Sequence, residues 1–436
     1  VGCLAEMTAD IHTGVHRYTF NGDGDARLFI DVSAGAQNRT TYKGKVRVDE
    51  ETGVIYGSSE LHGAFSARYD GLPVYFAAVT SKPVVSYEIS GSDTDCGIDL
   101  NFGKLDGSVE LKVGISYVSE ENALLNLRAE SDGLTFDDIR EKAVKEWDKN
   151  LSVIKINGSD EIKTNFYTAL YHTMIMPTNF TDVNGEYLGF DKKTGVADGY
   201  TYRTDMSLWD TCRTTHPLYT LIAQDIQTDC LNSLVAMADQ GAGVLPRWPM
   251  GAGYSGSMFG DNANIVVTES YLKGITDFDV EAAYEAMKYT SENATNKSGR
   301  GWVELYNEYG YIHGYMSKWL DAVHSDGVMA DGRSYLDYIN VESFVRYFFH
   351  QEFLRNGDCG RGSTYMYKDK DSIDPLIYAG PVWDNDRIFE GINNTDGWLL
   401  STINHAGTSS PTFYNVLNRR EDFAKLLVWY YENSDI

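Results

Sequence analysis

From Val15 to about Ser119 apolar and polar positions alternate with period two, as in Val109, Leu111, Val113, Ile115 and Tyr117. Residues two apart share one face of a strand, so this spacing predicts half-buried antiparallel strands. Asn21-Gly22-Asp23-Gly24-Asp25 reads as a turn between the strands His16–Phe20 and Arg27–Ile30. Many short strands with Gly- and Asp-rich turns favour a β-sandwich.

The period then lengthens. Thr135 with Asp138 resembles a capping box with Asp in place of Glu, and Phe136, Ile139, Ala143, Val144, Trp147 and Leu151 follow at helical spacing. After Ser159-Asp160, the positions Ile162, Phe166, Leu170 and Thr173 predict another helix ending near Pro177. Further helices are predicted at about 217 to 224, 226 to 240 with Gly241 as stop, 263 to 273 with Gly274 as stop, and 279 to 292. The pattern gives an α+β multidomain chain, and propensity alone says only that its second part is helical.

Composition narrows the function classes. A chain of 436 residues is long for one core and suggests two or three domains. No apolar run approaches the roughly 20 residues that a membrane helix needs. The formal net charge of −26 disfavours nucleic acid, because polyphosphate binding needs clustered Lys and Arg. Thirty Tyr and eight Trp supply rings for stacking on flat ligands, though most such residues serve as core. Cys3, Cys96, Cys212, Cys230 and Cys359 are scattered, without a CxxC pair, so zinc is not indicated; the odd count argues against a complete disulfide framework and leaves room for one bridge in an exported protein.

The richest candidate chemistry lies in Ser207-Leu208-Trp209-Asp210-Thr211-Cys212-Arg213-Thr214-Thr215-His216-Pro217-Leu218, where Pro217 sits in the first turn of a helix. An indole covers the apolar face of a sugar ring and a neighbouring carboxylate accepts from paired hydroxyls, so Trp209 and Asp210 form a candidate carbohydrate site. The structural alternative is a buried helix start with Asp210 and Arg213 paired to each other. Gly243-Val244-Leu245-Pro246-Arg247-Trp248-Pro249 and Met258-Phe259-Gly260-Asp261-Asn262-Ala263 again set charge beside an aromatic ring or glycine at the mouth of a helix.

Together with Phe166–His172 and Asp182-Val183-Asn184-Gly185-Glu186-Tyr187-Leu188-Gly189, these segments closely resemble glycoside hydrolase family 92, the calcium-dependent, inverting exo-α-mannosidases, from about Leu4 to about His313. The resemblance implies a β-sandwich over 1–130, a linker helix over 131–160 and the first part of an (α/α)6 toroid over 161–314. Six hairpins need about twelve helices and the chain supplies roughly five, so the ring is expected to stay open. By resemblance Asp210 contacts sugar hydroxyls, and Trp209, Arg213, Arg247, Trp248 and Asp261 line or brace the pocket. The structural alternative makes Arg213 and Arg247 buried ion-pair partners and Trp248 core. The family usually has His where Asn262 stands, which removes an imidazole from that position.

The last family-92 stretch is Glu304-Leu305-Tyr306-Asn307-Glu308-Tyr309-Gly310-Tyr311-Ile312, after which the family has Pro where His313 stands. Ile339–Phe349, Asn356-Gly357-Asp358, Ser363–Asp369, Gly380-Pro381-Val382-Trp383-Asp384-Asn385-Asp386, Pro411–Tyr414 and Glu421-Asp422-Phe423 are similar to the C-terminal part of the spore-coat CotH kinase-like family. A CotH-like α+β fragment is therefore expected over 315–436, joined to the first family near residue 315.

Inverting hydrolysis needs a protonated carboxylic acid at the leaving oxygen and a carboxylate to activate water, about 6.5 to 9.5 Å apart. In family 92 these come from a Glu-Gly-Asn-x-Trp-Gln-Tyr-like segment and a Gly-Asn-Asp-x-x-Gly-Gln-like segment, and neither occurs here. Glu390-Gly391-Ile392-Asn393 is only a superficial echo. The expectation is a truncated α-mannosidase acting on mannose-containing glycans and lacking its acid and base. Calcium is implied by the resemblance, with most ligands in the missing part. The alternatives are a CotH-like phosphotransferase using ATP and Mg2+, or a carbohydrate-binding protein without catalysis. In the kinase reading Asp358 is the carboxylate near the acceptor hydroxyl and Asp384 or Asp386 holds the metal, while the nucleotide-binding lobe with its lysine is absent. The family's habit of export from glycan-degrading bacteria implies a secreted, periplasmic or surface location.

Overall fold

The computed structural model describes residues 2–35, 40–105, 107–258, 260–295, 298, 313–329, 331–354, 364–369, 373–381 and 413–433, with the backbone alone at 313–318 and 413. They fall into two compact units, Val1–Glu304 and Leu305–Ile436. The sequence reading places that boundary at 314/315.

In the first unit nine strands form two antiparallel sheets. They are β1 (Gly2–Ala9), β2 (Thr13–Asn21), β3 (Arg27–Asp31), β4 (Thr40–Val48), β5 (Ile55–His62), β6 (Leu72–Thr80), β7 (Ser86–Ser92), β8 (Asp95–Asn101) and β9 (Ser108–Ser116). Six strands pair in the order β1-β2-β9-β6-β5-β4 and three in the order β3-β8-β7. The predicted turn at Asn21–Asp25 joins strands that do not pair, because it carries the chain from one sheet to the other. Ile55, Ala78, Val109 and Leu111 of the large sheet pack against Ile98 and Leu100 of the small one, as two inward faces of a sandwich should. The alternation predicted through Tyr117 ends sooner: Ile115 is exposed, and Tyr117 lies beyond β9 and stacks on Phe180 at 4.3 Å.

The other face of β9 carries helix α1 (Glu120–Ser131), which the pattern of apolar residues does not announce. Its inward side holds Ala123 and Leu127 but also Asn122, Asn126, Glu130 and Ser131, so no apolar stripe is legible. These polar groups are satisfied across the interior. The Nδ2 groups of Asn122 and Asn126 donate to Asp182 at 2.8 and 2.7 Å, and Ser116 Oγ donates to the same carboxylate at 2.6 Å. Glu130 accepts from the His12 backbone N–H and sits 2.6 Å from His12 Nδ1. Two donors from α1 and one from β9 on this buried carboxylate tie both elements to the segment that carries Asp182.

Helix α2 (Phe136–Leu151) starts with the predicted capping box: Asp138 N–H donates to Thr135 Oγ1 at 3.2 Å and Thr135 N–H donates to Asp138 Oδ2 at 2.9 Å. Only its first turn is deeply buried, Phe136 and Ile139 meeting Val15, while Val144 is exposed. After α3 (Asp160–Thr173) come short ribbons, β10 (Thr178–Asn179) with β13 (Arg203–Thr204) and β11 (Glu186–Leu188) with β12 (Thr194–Val196). Then follow α4 (Leu208–Thr211), α5 (Thr215–Ile222), α6 (Gln224–Gln240), the ribbon β14 (Pro249–Met250) with β15 (Gly253–Tyr254), α7 (Asn262–Leu272) and α8 (Val280–Asn293). The predicted helices are all present, with ends displaced by a residue or two, except that α3 stops at Thr173 rather than near Pro177. Leu231, Leu234, Met237, Val266 and Ala283 join Tyr202 and Leu208 in the core of this helical region.

The second unit has α9 (His313–His324), α10 (Val341–Phe353), the ribbon β16 (Met366–Lys368) with β17 (Ile377–Ala379), α11 (Phe413–Arg419) and α12 (Glu421–Asn433). It has a core of its own, in which Trp319, Phe344, Phe348, Tyr414 and Phe423 are fully buried. The Trp319 indole N–H donates to the Tyr335 carbonyl at 3.1 Å. Among the described residues no helix is long and apolar enough to cross a membrane. Cys3, Cys96, Cys212 and Cys230 are free thiols.

Candidate functional site

The candidate sugar site lies in the first unit. Strand β13 and the residues after it run beside the β14 ribbon: Met206 N–H donates to the Pro249 carbonyl at 3.1 Å, Thr204 Oγ1 donates to Gly251 O at 2.7 Å, and Gly251 N–H donates to Asp205 Oδ1 at 2.9 Å. These bonds hold the turn at Ser207 to Asp210 next to the segment that carries Arg247 and Trp248.

On α4 the apolar Leu208 is buried and anchors the turn, which leaves Trp209 half-buried and Asp210 exposed. Arg213 is exposed as well. Its guanidinium lies 4.9 Å from the Trp209 ring centroid and its Nε–H donates to the Trp209 carbonyl at 3.1 Å. The alternative in which Asp210 and Arg213 pair in the interior is thus not what the fold contains. Short helical turns leave both side chains pointing into solvent, and the guanidinium finds the indole face instead. The Asp210 carboxylate forms no side-chain hydrogen bond or ion pair among the described residues.

Arg247 is buried: its Nε donates to Ser257 O at 2.7 Å and an Nη to Gly256 O at 2.8 Å. Burial pushes its pKa down. Trp248 is half-buried and stacks on Phe65, with centroids 6.2 Å apart, and its buried indole N–H has no hydrogen-bond partner among the described residues. Asp261 precedes α7 and accepts from Asn264 Nδ2 at 2.6 Å. Asn262 is buried, its Oδ1 3.9 Å from Cys212 Sγ, so α7 packs under α4. Trp209, Asp210 and Arg213 therefore form one exposed cluster above Asn262, and Arg247 with Trp248 forms a second on the adjoining loop.

Three residues of the site escape the sequence reading because they come from the sheet region. The 3-10 turn Ser66–Tyr69 between β5 and β6 brings up Phe65, which stacks on Trp248, and Arg68, whose guanidinium lies 5.5 Å from the Phe65 ring. Arg68 donates to Ser255 O at 2.6 Å and to Ser257 Oγ at 2.9 Å, reaching the loop that holds Arg247. Tyr69 lies against Gly251 and Gly253, where a methyl group would collide with its ring. The run Phe65-Ser66-Ala67-Arg68-Tyr69 between two strands was the available signal.

His216 is buried behind the site, with Nδ1 2.9 Å from Gln227 Oε1 and Nε2 unpartnered; burial lowers its pKa and keeps it neutral. A groove of about 400 Å³ lies elsewhere, between α6 and α8, and includes none of the candidate residues. Among the described residues no three His, Cys, Asp or Glu side chains converge as a calcium cage of side chains would require. Asp358, Asp384 and Asp386, the residues of the kinase reading, lie outside the described residues, as does Glu390.

Comparison with known proteins gives three family matches. The Glycosyl hydrolase family 92 N-terminal domain matches residues 2–116, the Glycosyl hydrolase family 92 catalytic domain matches 122–331, and CotH kinase protein matches 262–434. The last two overlap over 262–331. An "Uncharacterized secreted glycosidase" of Arthroderma benhamiae is 27% identical over 355 residues, which is 71% of this chain and 40% of the fungal protein. Among solved structures, a family GH92 alpha-mannosidase from Bacteroides thetaiotaomicron is 30% identical with a TM-score of 0.63, covering 67% of this chain and 42% of that one. The same enzyme is also known in complex with mannoimidazole. A family GH92 inverting mannosidase of the same bacterium, 22% identical with a TM-score of 0.64 over 74% of this chain and 47% of its own, shares the fold. The chain thus spans about two fifths of the length of the first relatives it matches.

Proposed function

Because residues 2–116 and 122–331 belong to glycosyl hydrolase family 92, we propose that this chain carries the sugar-gripping part of a mannose-directed, inverting glycoside hydrolase and lacks the acid and base that cut the bond. The observation that carries the reading is Asp210, an exposed carboxylate beside an indole and without a competing side-chain partner. Such a group is free to accept from two adjacent sugar hydroxyls, in charge-assisted bonds roughly twice as strong as neutral ones. Arg213 occupies one side of the Trp209 ring and fixes its angle, so the remaining indole surface meets the apolar face of the pyranose. Arg247, buried on the carbonyls of Gly256 and Ser257, shapes the loop under Trp248.

The mannoimidazole complex of the Bacteroides relative supports mannose as the sugar class. In a complete enzyme of this type, one carboxylic acid protonates the leaving oxygen and a second carboxylate activates water on the opposite face. The sequence segments that bring them in the family do not occur in this chain. Calcium in the family stabilises a distorted sugar through its hydroxyls, and the side chains described here do not by themselves form its cage, so no step is assigned to it. The secreted fungal relative supports an exported location.

Calorimetric titration with methyl α-mannoside tests the assignment. Asp210→Ala is expected to weaken binding at least tenfold, since each lost charge-assisted bond is worth about 1.5–3 kcal/mol, while the circular dichroism spectrum stays unchanged because the side chain is exposed. Unchanged affinity would remove Asp210 from the site. An aryl α-mannoside should be released at no measurable rate, with or without calcium.

The CotH match over 262–434 favours a second reading, in which the C-terminal region transfers phosphate from ATP with Asp358 near the acceptor and Asp384 or Asp386 on the metal. ATP-dependent phosphate incorporation that disappears in Asp384→Ala would establish it.

A further inference from the structure

The outward face of the β3-β8-β7 sheet bears an aromatic ring that the core does not use. Leu28, Ile30, Ile98 and Leu100 point into the sandwich, so Arg27, Phe29, Asp31, Gly97 and Asp99 point out by strand alternation. Phe29 is 57% exposed, in the middle of the first strand of a three-stranded sheet. The tip of its ring reaches Gly97 of β8: a methyl group at position 97 would collide with Phe29 Cζ, 2.8 Å from Cε2, and stand 3.1 Å from the Ile30 carbonyl. The tip of the ring is thus lodged against bare backbone while most of the ring is open. No aromatic ring or cation partners it among the described residues.

The polar groups around the ring are ordered rather than scattered. Asp99 stands opposite Phe29 in the β-ladder, with Glu88 beyond it on β7. Arg27 Nε donates to Asp99 Oδ1 at 2.9 Å, and a second guanidinium nitrogen lies at the same distance. Asp31 closes the other end, its Oδ1 taken by the Ser33 N–H. Ser86 and Ser90 are exposed on the neighbouring strand.

We propose that this face is a second carbohydrate-binding platform, on which Phe29 stacks against a pyranose ring while Asp99, Arg27 and Glu88 exchange hydrogen bonds with its hydroxyls. An aromatic face ringed by donors and acceptors of both signs suits a neutral, hydroxylated ring with one apolar side. Three carboxylates around one guanidinium repel a polyphosphate or an anionic lipid surface. The ligand is therefore the pyranose unit of a neutral polysaccharide, held independently of the Asp210 cluster.

Affinity electrophoresis of the full chain carrying Asp210→Ala, in native gels containing soluble α-mannan or hydroxyethylcellulose, isolates this face from the first site. Retardation in at least one gel is expected. Adding Phe29→Ala should abolish it, with at least a tenfold drop in association constant, while Phe29→Trp keeps it and Phe29→Leu, apolar but not planar, does not. Phe29→Ala with Asp210 intact should leave methyl α-mannoside binding unchanged. No retardation of the Asp210→Ala protein in either gel, or equal retardation after Phe29→Ala or Phe29→Leu, would overturn the platform and leave the reading of Asp210 standing.

Discussion

His12 and Glu130 show how a single buried pair governs the response to pH. Burial alone would lower the His12 pKa, but the hydrogen bond and charge of Glu130, the Thr181 carbonyl and the charge of Asp182 outweigh it and raise the value. Burial would raise Glu130, and the bonds from His12 reverse that and lower it. The raised histidine adds stability that is complete below its unfolded value of about 6.5 and disappears as pH rises through the folded one. The lowered carboxylate adds stability that is complete above about 4.3 and disappears as pH falls. Urea unfolding should therefore give a plateau between those values with a decline on either side. His12→Gln should flatten the alkaline decline, and an unaltered decline would assign it to other groups. At the same scale, the candidate chemistry of Trp209, Asp210 and Arg213 is readable from sequence because residue type decides what a group can bind. Whether Asp210 pairs with Arg213 or faces solvent is not readable, because it depends on a four-residue helix whose only anchor is Leu208.

Elements were predicted where the signal is local. Helices α2, α6 and α8 carry caps or stops and regular apolar spacing, and they appear where those marks place them. Helix α1 was hidden because its buried face is half polar, and those polar groups become intelligible only when Asp182, 50 or more residues away in sequence, arrives to accept from them. Gly114 is what lets α1 lie on β9. A methyl group there would stand 2.6 Å from Leu127 Cβ and 2.9 Å from Leu127 N. Overpacking of this kind costs about 1–3 kcal/mol, so Gly114→Ala should lower the melting temperature of the first unit. An unchanged melt would mean that α1 is free to move away from the sheet. Phe65, Arg68 and Tyr69 were missed for a related reason: a turn between strands has no period of its own, and its role is set by the loop it touches.

At the scale of the molecule, two units with separate cores predict separable unfolding. Phe348 is fully buried in the second core, and its replacement by Ala should cost about 3–5 kcal/mol. A calorimetric scan should show one transition shifting while the other stays. Movement of both together would make the two cores a single cooperative system. What the sequence determined by itself follows from short-range physics: alternation gives the strands, helical spacing and caps give the helices, residue chemistry points to a candidate sugar-directed cluster, and the acidic balance disfavours nucleic acid. What only the tertiary structure decided is which distant groups meet. The passage of Asn21–Asp25 between sheets, the burial of Asp182 under α1, the stacking of Phe65 on Trp248 and the seating of Phe29 on Gly97 are contacts between segments that carry no mark of one another. Each is fixed by packing and by the need of buried polar groups for partners, conditions that exist only once the chain has folded.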